Sequence, residues 1–204
     1  DRNVNASKAL LLGLNLENIL NIITITGDPV PTAEKDEVKS VFQFNSTKFA
    51  TLVSDMNEKV FTNKMNIGGA LNLNANKFDL EIKRAQAKEK AGVNVFYTQP
   101  VISKTAVENL KIARKELKSY IMGGVMPIVS YKNALFMNSE ASGIRLDDEI
   151  IERYKGLERE AASRLAVEIT SDFMRQIADD VDGYYIITPF SRVDIIGELI
   201  QLFK

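Results

Sequence analysis

Apolar positions along the chain fall into two textures that alternate. Short runs rich in β-branched or aromatic residues occur at 22–26 (Ile-Ile-Thr-Ile-Thr), 65–70, 93–97 (Val-Asn-Val-Phe-Tyr), 120–128 and 184–187 (Tyr-Tyr-Ile-Ile). They are near-continuous rather than strictly alternating, as parallel strands covered on both faces are. Between them lie longer stretches with apolar residues three and four apart. These predict helices over 7–16, 47–59, 80–91, 103–118, 158–178 and 193–203. Val107, Leu110, Ala113 and Leu117 make one stripe, and Leu165, Ile169, Phe173 and Ile177 recur at steps of four. Gly13 interrupts the first helical stretch, and Gly92 is placed to cap the third.

Strand then helix, repeated, implies right-handed βαβ units. An open doubly wound sheet and part of a (β/α)8 barrel both fit. A whole barrel takes about 250 residues, and five strand runs fall short of eight. Neither GxGxxG nor GxxxxGK[ST] occurs among the 11 glycines, so the usual open-sheet nucleotide sites are not announced.

Composition narrows the chemistry. The 204 residues include no His, Cys or Trp. Disulfides, thiolate nucleophiles and zinc fingers are excluded, as are the commonest general base and metal ligand. Catalysis must draw on carboxylates, Lys, Arg, Tyr, amides or a borrowed cofactor; no metal site is expected. With 26 Lys+Arg against 27 Asp+Glu the net charge is −1, which offers no basic footprint for nucleic acid. No apolar run reaches the ~18 residues of a membrane span. The start, Asp1-Arg2-Asn3-Val4-Asn5, lacks both an initiator Met and the apolar segment of a signal peptide. A cytoplasmic location is the expectation.

In parallel α/β folds chemistry collects at the carboxyl ends of the strands. Here the runs end in Thr26-Gly27-Asp28-Pro29, Ala70-Leu71-Asn72, Thr98-Gln99-Pro100, Pro127-Ile128-Val129-Ser130 with Tyr131-Lys132-Asn133, and Thr188-Pro189-Phe190-Ser191-Arg192. Any one of these reads as turn chemistry. All five together point to one shared site.

These residues carry a family resemblance. The chain resembles methylenetetrahydrofolate reductases through Asp1-Arg2-Asn3, Ile25-Thr26-Gly27-Asp28-Pro29, Glu81 and Lys88 through Gly92 to Thr98-Gln99-Pro100, Gly124-Val125-Met126-Pro127-Ile128 and Thr188-Pro189-Phe190-Ser191-Arg192, in the family's order. The Asp-Arg-Asn start and Thr-Gln-Pro are most similar to the bacterial branch fused behind a homocysteine S-methyltransferase domain. The resemblance implies an α/β fold of the (β/α)8 TIM-barrel type that uses FAD. It implies reduction of 5,10-methylenetetrahydrofolate to 5-methyltetrahydrofolate with NADH or NADPH, a step of one-carbon metabolism and methionine biosynthesis. The flavin would carry the redox chemistry, which suits a chain without His or Cys.

The resemblance also implies residue roles. Asp28 is the catalytic acidic residue beside the flavin ring, where a carboxylate stabilises a cationic iminium form of the folate. Thr26 and Gly27 approach the flavin through backbone, and Asn72 falls near it. Glu81 and Lys88, seven apart on one helix face, hold the ribose and phosphate portion; without the resemblance they read as a solvated face. Arg84 and Ala87 stand where the family often has a polar and a basic residue, and Ala87 removes one contact. Gln99 contacts the folate ring, since an amide both donates and accepts. Asn133 stands where other branches use Gln for substrate. Met137 stands where others stack a Phe, with Phe136 as its rival; core packing is the ordinary role of both. Arg192 pairs with the folate's glutamate tail.

In the family, the strands before Asp-Arg-Asn hold the glutamate proposed as general acid. The expectation is therefore that 1–204 is one reductase barrel segment whose first three or so strands are absent. By itself it would bind FAD poorly and turn over little. Two unpaired sheet edges would follow, and edge pairing between copies, or domain swapping, would give a homo-oligomer. A non-catalytic scaffold of the same fold is the competing reading, and a different βα-barrel enzyme sharing only strand-end turns is the third.

Overall fold

The computed structural model describes residues 2–27, 40–41, 43–140 and 144–203, the side chains of 139 and 140 excepted. In chain order its elements are α1 (Val4–Leu16), β1 (Asn21–Thr24), α2 (Ser46–Lys59), β2 (Asn66–Leu71), α3 (Phe78–Lys90), β3 (Val95–Pro100), α4 (Lys104–Glu116), β4 (Tyr120–Val125), α5 (Tyr131–Glu140), α6 (Asp148–Arg153), α7 (Arg159–Ile177), β5 (Gly183–Ile186) and α8 (Val193–Leu202). The strands form one sheet in the order β1-β2-β3-β4-β5. β1 pairs parallel with β2 from Asn21–Asn66 to Thr24–Gly69, and β4 with β5 from Met122–Gly183 to Val125–Ile186. Sequential order with a helix in each connection is what right-handed βαβ repetition produces. Among the described residues no helix is long and apolar enough to cross a membrane.

The chain divides into two compact units: Asp1–Ala70 with Lys83–Phe96, and Leu71–Ile82 with Tyr97–Lys204. In the first, side-chain oxygens cap two helices. Asn3 accepts the N–H of Ala6 at the start of α1, and Asn45 that of Lys48 at the start of α2. Gly13 does not interrupt α1, which runs through it. The core is built from Leu11, Ala50, Val53, Met56, Ile67 and Phe96, all buried. Gly92 caps α3 as its position predicts: φ is +102°, Gly92 N donates to Glu89 O at 2.9 Å and Val93 N to Lys88 O at 3.0 Å.

In the second unit Ser103 caps α4 by accepting from Ala106 N. The predicted stripe of that helix (Val107, Leu110, Ala113, with Leu117 just beyond) is buried. α7 buries Ile169, Phe173 and Ile177 as the four-residue steps require. Val125 of β4 packs in one cluster with Ala166 and Met174 of α7 and Ile195 and Leu199 of α8. Two helices, α5 and α6, lie where the apolar pattern predicts none. α6 has six residues and buries only Ile151, too little to leave a period. The third strand also sits later than its apolar run. It takes in Thr98, Gln99 and Pro100, so Gln99 lies in the strand and not on a turn. Pro is tolerated there because it closes the strand.

Candidate functional site

In the first unit, the segment after β1 carries Thr26 and Gly27. The Thr26 hydroxyl accepts the N–H of Ser46 at 3.0 Å, which ties this strand end to the start of α2. Gly27 and Ile25 line a cavity of about 150 Å³ with Arg2 and Phe44. Asp28, the expected catalytic residue, lies outside the described residues. Lys88 turns inward: its ammonium donates to Ala70 O at 2.7 Å, at the carboxyl end of β2, and the residue is only 9% exposed.

In the second unit, the loop after β2 is held by side chains from two helices. Asn72 N donates to Glu81 Oε1 of α3 at 3.1 Å, and Asn109 Nδ2 of α4 donates to Leu73 O at 2.7 Å. The Asn72 side chain closes a turn by accepting Asn74 N at 2.9 Å. Glu81 is 8% exposed. The seven-residue spacing of Glu81 and Lys88 does place them on one face of α3, but that face is buried rather than solvated.

Gln99 is positioned by a network that sequence reasoning missed. Gly124 N donates to Thr98 Oγ at 2.9 Å, Thr98 Oγ to Gln99 O at 2.8 Å, and the Tyr185 hydroxyl to Thr98 O. A Cβ on Gly124 would lie 2.9 Å from Thr98 O and 3.0 Å from the Gln99 carbonyl carbon. Only glycine lets β4 approach β3 this closely. The rings of Tyr97 and Tyr185 meet edge-to-face at 5.6 Å, and burial pushes the Tyr185 phenol pKa up. The Gln99 amide is half-buried and makes no hydrogen bond among the described residues. The signal available in sequence was the pair Gly123-Gly124 inside a strand run, a mark of close backbone approach.

The segments after β4 and β5 supply an open cleft of about 430 Å³ lined by Ser130, Lys132, Asn133, Phe136 and Phe190. Ser130 and Asn133 cap α5 reciprocally: Asn133 N donates to Ser130 Oγ at 3.1 Å, and Val129 N to Asn133 Oδ1 at 3.2 Å. Met137 is buried, whereas Phe136 is 57% exposed. Of the predicted site residues only Asn133 lines this cleft; Gln99, Met137 and Arg192 do not. Phe190 is 76% exposed in the left-handed region (φ 44°, ψ 41°), followed by Ser191 at φ 61°. The Arg192 guanidinium donates to Asp194 from Nε at 3.0 Å and from Nη2 at 2.6 Å, and from Nη2 to Ser163 Oγ at 2.8 Å. Those hydrogen bonds hold the Asp194 carboxyl down to about 2 and raise the arginine above its usual value. A carboxylate ligand would have to compete with Asp194 for this cation.

The family model of methylenetetrahydrofolate reductase matches residues 2–189. The chain belongs to the methylenetetrahydrofolate reductase family. An uncharacterized protein from Clostridium thermocellum, described as binding two copies of 5-methyl-5,6,7,8-tetrahydrofolic acid, is similar at 18% identity, covering 93% of this chain and 75% of its own, with a TM-score of 0.58. A dihydrodipicolinate synthase is 12% identical over 97% of this chain and 71% of its own, with a TM-score of 0.41. No curated protein sequence matches. As a member of the methylenetetrahydrofolate reductase family the chain has an α/β fold of the TIM-barrel type, which its five-stranded parallel sheet reflects. The third reading, an unrelated barrel enzyme sharing only strand-end turns, is thereby set aside.

Proposed function

We propose that the chain is the reductase segment of an FAD-dependent enzyme. That enzyme reduces 5,10-methylenetetrahydrofolate to 5-methyltetrahydrofolate with NADH or NADPH as electron donor. The family match over residues 2–189 carries this reading, and the folate held by the similar Clostridium thermocellum protein supports it.

The donor set fits a flavin dinucleotide in kind. Lys88 is a cation for phosphate, Glu81 is a carboxylate for ribose hydroxyls, and each is oriented by a backbone tie at the end of β2. Thr26, Gly27 and Asn72 complete the set. When bound, flavin supplies the two-electron transfer that no side chain here can perform.

The chain's own residues then bind, orient and tune. Gln99 offers one acceptor and two donors to a pterin edge from a strand that Gly124 and Tyr185 hold rigid. A half-buried amide that makes no hydrogen bond among the described residues has donors and acceptor free for such a ligand. Asp28 supplies negative charge near the cationic iminium of the folate. Asn133 serves the substrate from the cleft, Met137 is buried, and Arg192 stands at the same turn as Phe190.

Mixing the whole reductase, of which this chain is the proposed segment, with FAD and then 5-methyltetrahydrofolate under anaerobic conditions tests the reading. Bleaching of the flavin absorbance, abolished by Asp28→Asn and slowed about a hundredfold by Gln99→Ala, is expected. A protein that takes up neither flavin nor folate would sink it.

A further inference from the structure

α1 is poorly suited to water. Its 13 residues carry one charged side chain, Lys8, and five leucines, of which only Leu11 is buried. A helix on the surface of a domain ordinarily turns polar residues away from the core. Here a second stripe of Lys8, Leu12 and Leu16 follows at four-residue steps, with Leu12 49% and Leu16 84% exposed. Gly13 lies beside it, three residues before Leu16. A glycine inside a helix costs stability relative to alanine. Nothing in its own chain requires this one, since an added Cβ would meet nothing within 4 Å among the described residues. Bare helix backbone at an open surface suits the close approach of another helix.

α2 completes the surface. Leu12 shares a groove of about 290 Å³ with Leu52, Met56 and Val60, rimmed by Lys8 and Asp55. Asp55 meets Lys59 of its own helix at 3.7 Å with both side chains mostly exposed, a loose pair that contributes little. A two-fold axis sets residue i of a patch on residue j of its copy, and j on i. Charges of both signs beside one apolar groove are what that geometry satisfies. An anionic membrane or a nucleic acid would be met by cations alone.

We infer that α1 and α2 form a two-fold interface between two copies of this chain. The Leu12 and Leu16 stripe of each copy packs against α2 of the other, Lys8 meets the partner's Asp55, and Gly13 lets the helices approach.

Sedimentation equilibrium of the whole protein tests this, with a concentration-dependent dimer expected for the wild type. Leu16→Lys places a cation in the last turn of a helix, where it is tolerated. It should weaken association about a hundredfold without lowering the melting temperature in dilute solution. Gly13→Ala should weaken association about tenfold while leaving that melting temperature unchanged or higher. Lys8→Glu and Asp55→Lys should each weaken association about tenfold by setting like charges together. An equimolar mixture of these two variants should recover wild-type affinity, because every rim contact across the axis then joins opposite charges. Recovery on mixing cannot arise from an effect inside one chain. A monomeric wild type, a Leu16→Lys variant that associates as the wild type does, or a mixture no tighter than its components each overturn the inference.

Discussion

Two strand ends of the second unit hold their residues by opposite means. At the ends of β3 and β4, closeness does the work. Gly124 has no side chain, so Thr98, Gln99 and Tyr185 can interlock through hydrogen bonds that leave little freedom. At the end of β5, strain does the work. Phe190 and Ser191 are held in an unfavourable conformation by Pro189 on one side and the Arg192 brace on the other. The first arrangement adds stability and aims an amide. The second gives stability up and aims a ring. Substitutions at the first should lower stability and at the second should not, and this difference in sign separates a packed support from a site retained for binding.

The largest effect is expected at Gly124. Gly124→Ala places a methyl against backbone at 2.9 Å and 3.0 Å. It should destabilise the protein by about 2 kcal/mol in urea denaturation, with a parallel loss of folate affinity through Gln99. Wild-type stability in this variant would mean that the β3 and β4 ends are not as tightly coupled as described.

Two identical chemical changes should then differ in sign. Tyr185→Phe removes the hydrogen bond to Thr98 O and should cost about 1 kcal/mol. Tyr154, just after α6, is 1% exposed, and its hydroxyl has no partner among the described residues. Burial raises its pKa strongly. Tyr154→Phe should raise stability by about 1 kcal/mol, because an unmet polar group leaves the core. The same denaturation series reads both.

At the strained turn, Ser191→Gly should stabilise by about 0.5 kcal/mol, the relief at φ 61° being partly offset by backbone entropy. A clear loss of stability there would show that Ser191 is braced by contacts rather than strained. The smallest effect is electrostatic. The Asp194 carboxyl falls from 3.8 to about 2 because it accepts from Arg192. Its folded-state pKa is below its unfolded one, so its contribution is complete above 3.8 and fades as the pH drops toward 2. The stability gap between wild type and Asp194→Asn should therefore be small, constant near neutrality and closed in strong acid. A gap that widened on acidification would remove the ion pair from the brace.

The α/β class, five strands and six of the helices were legible in the sequence, because periodicity reports which faces meet a core. Gly92 announced its cap for the same local reason, whereas the N-caps Asn3, Asn45 and Ser103 emerged only from the structure. α5 and α6 were not legible. α5 is opened by the Ser130 and Asn133 pair and buries only Asn133, Ala134 and Met137 among its described side chains, a stripe too thin to leave a period.

The candidate site divides along the same line. Residue type and order were enough for family membership and for the polar groups at the strand ends, since both are written in the linear sequence. Which way those groups turn was decided by tertiary structure. Glu81 and Lys88 point into the β2 end, Arg192 grips Asp194, Phe136 and not Met137 opens to the cleft, and a glycine makes room for the strand that carries Gln99. Side-chain direction depends on neighbours brought together from distant parts of the chain, and those contacts exist only once the strands have paired and the helices have packed.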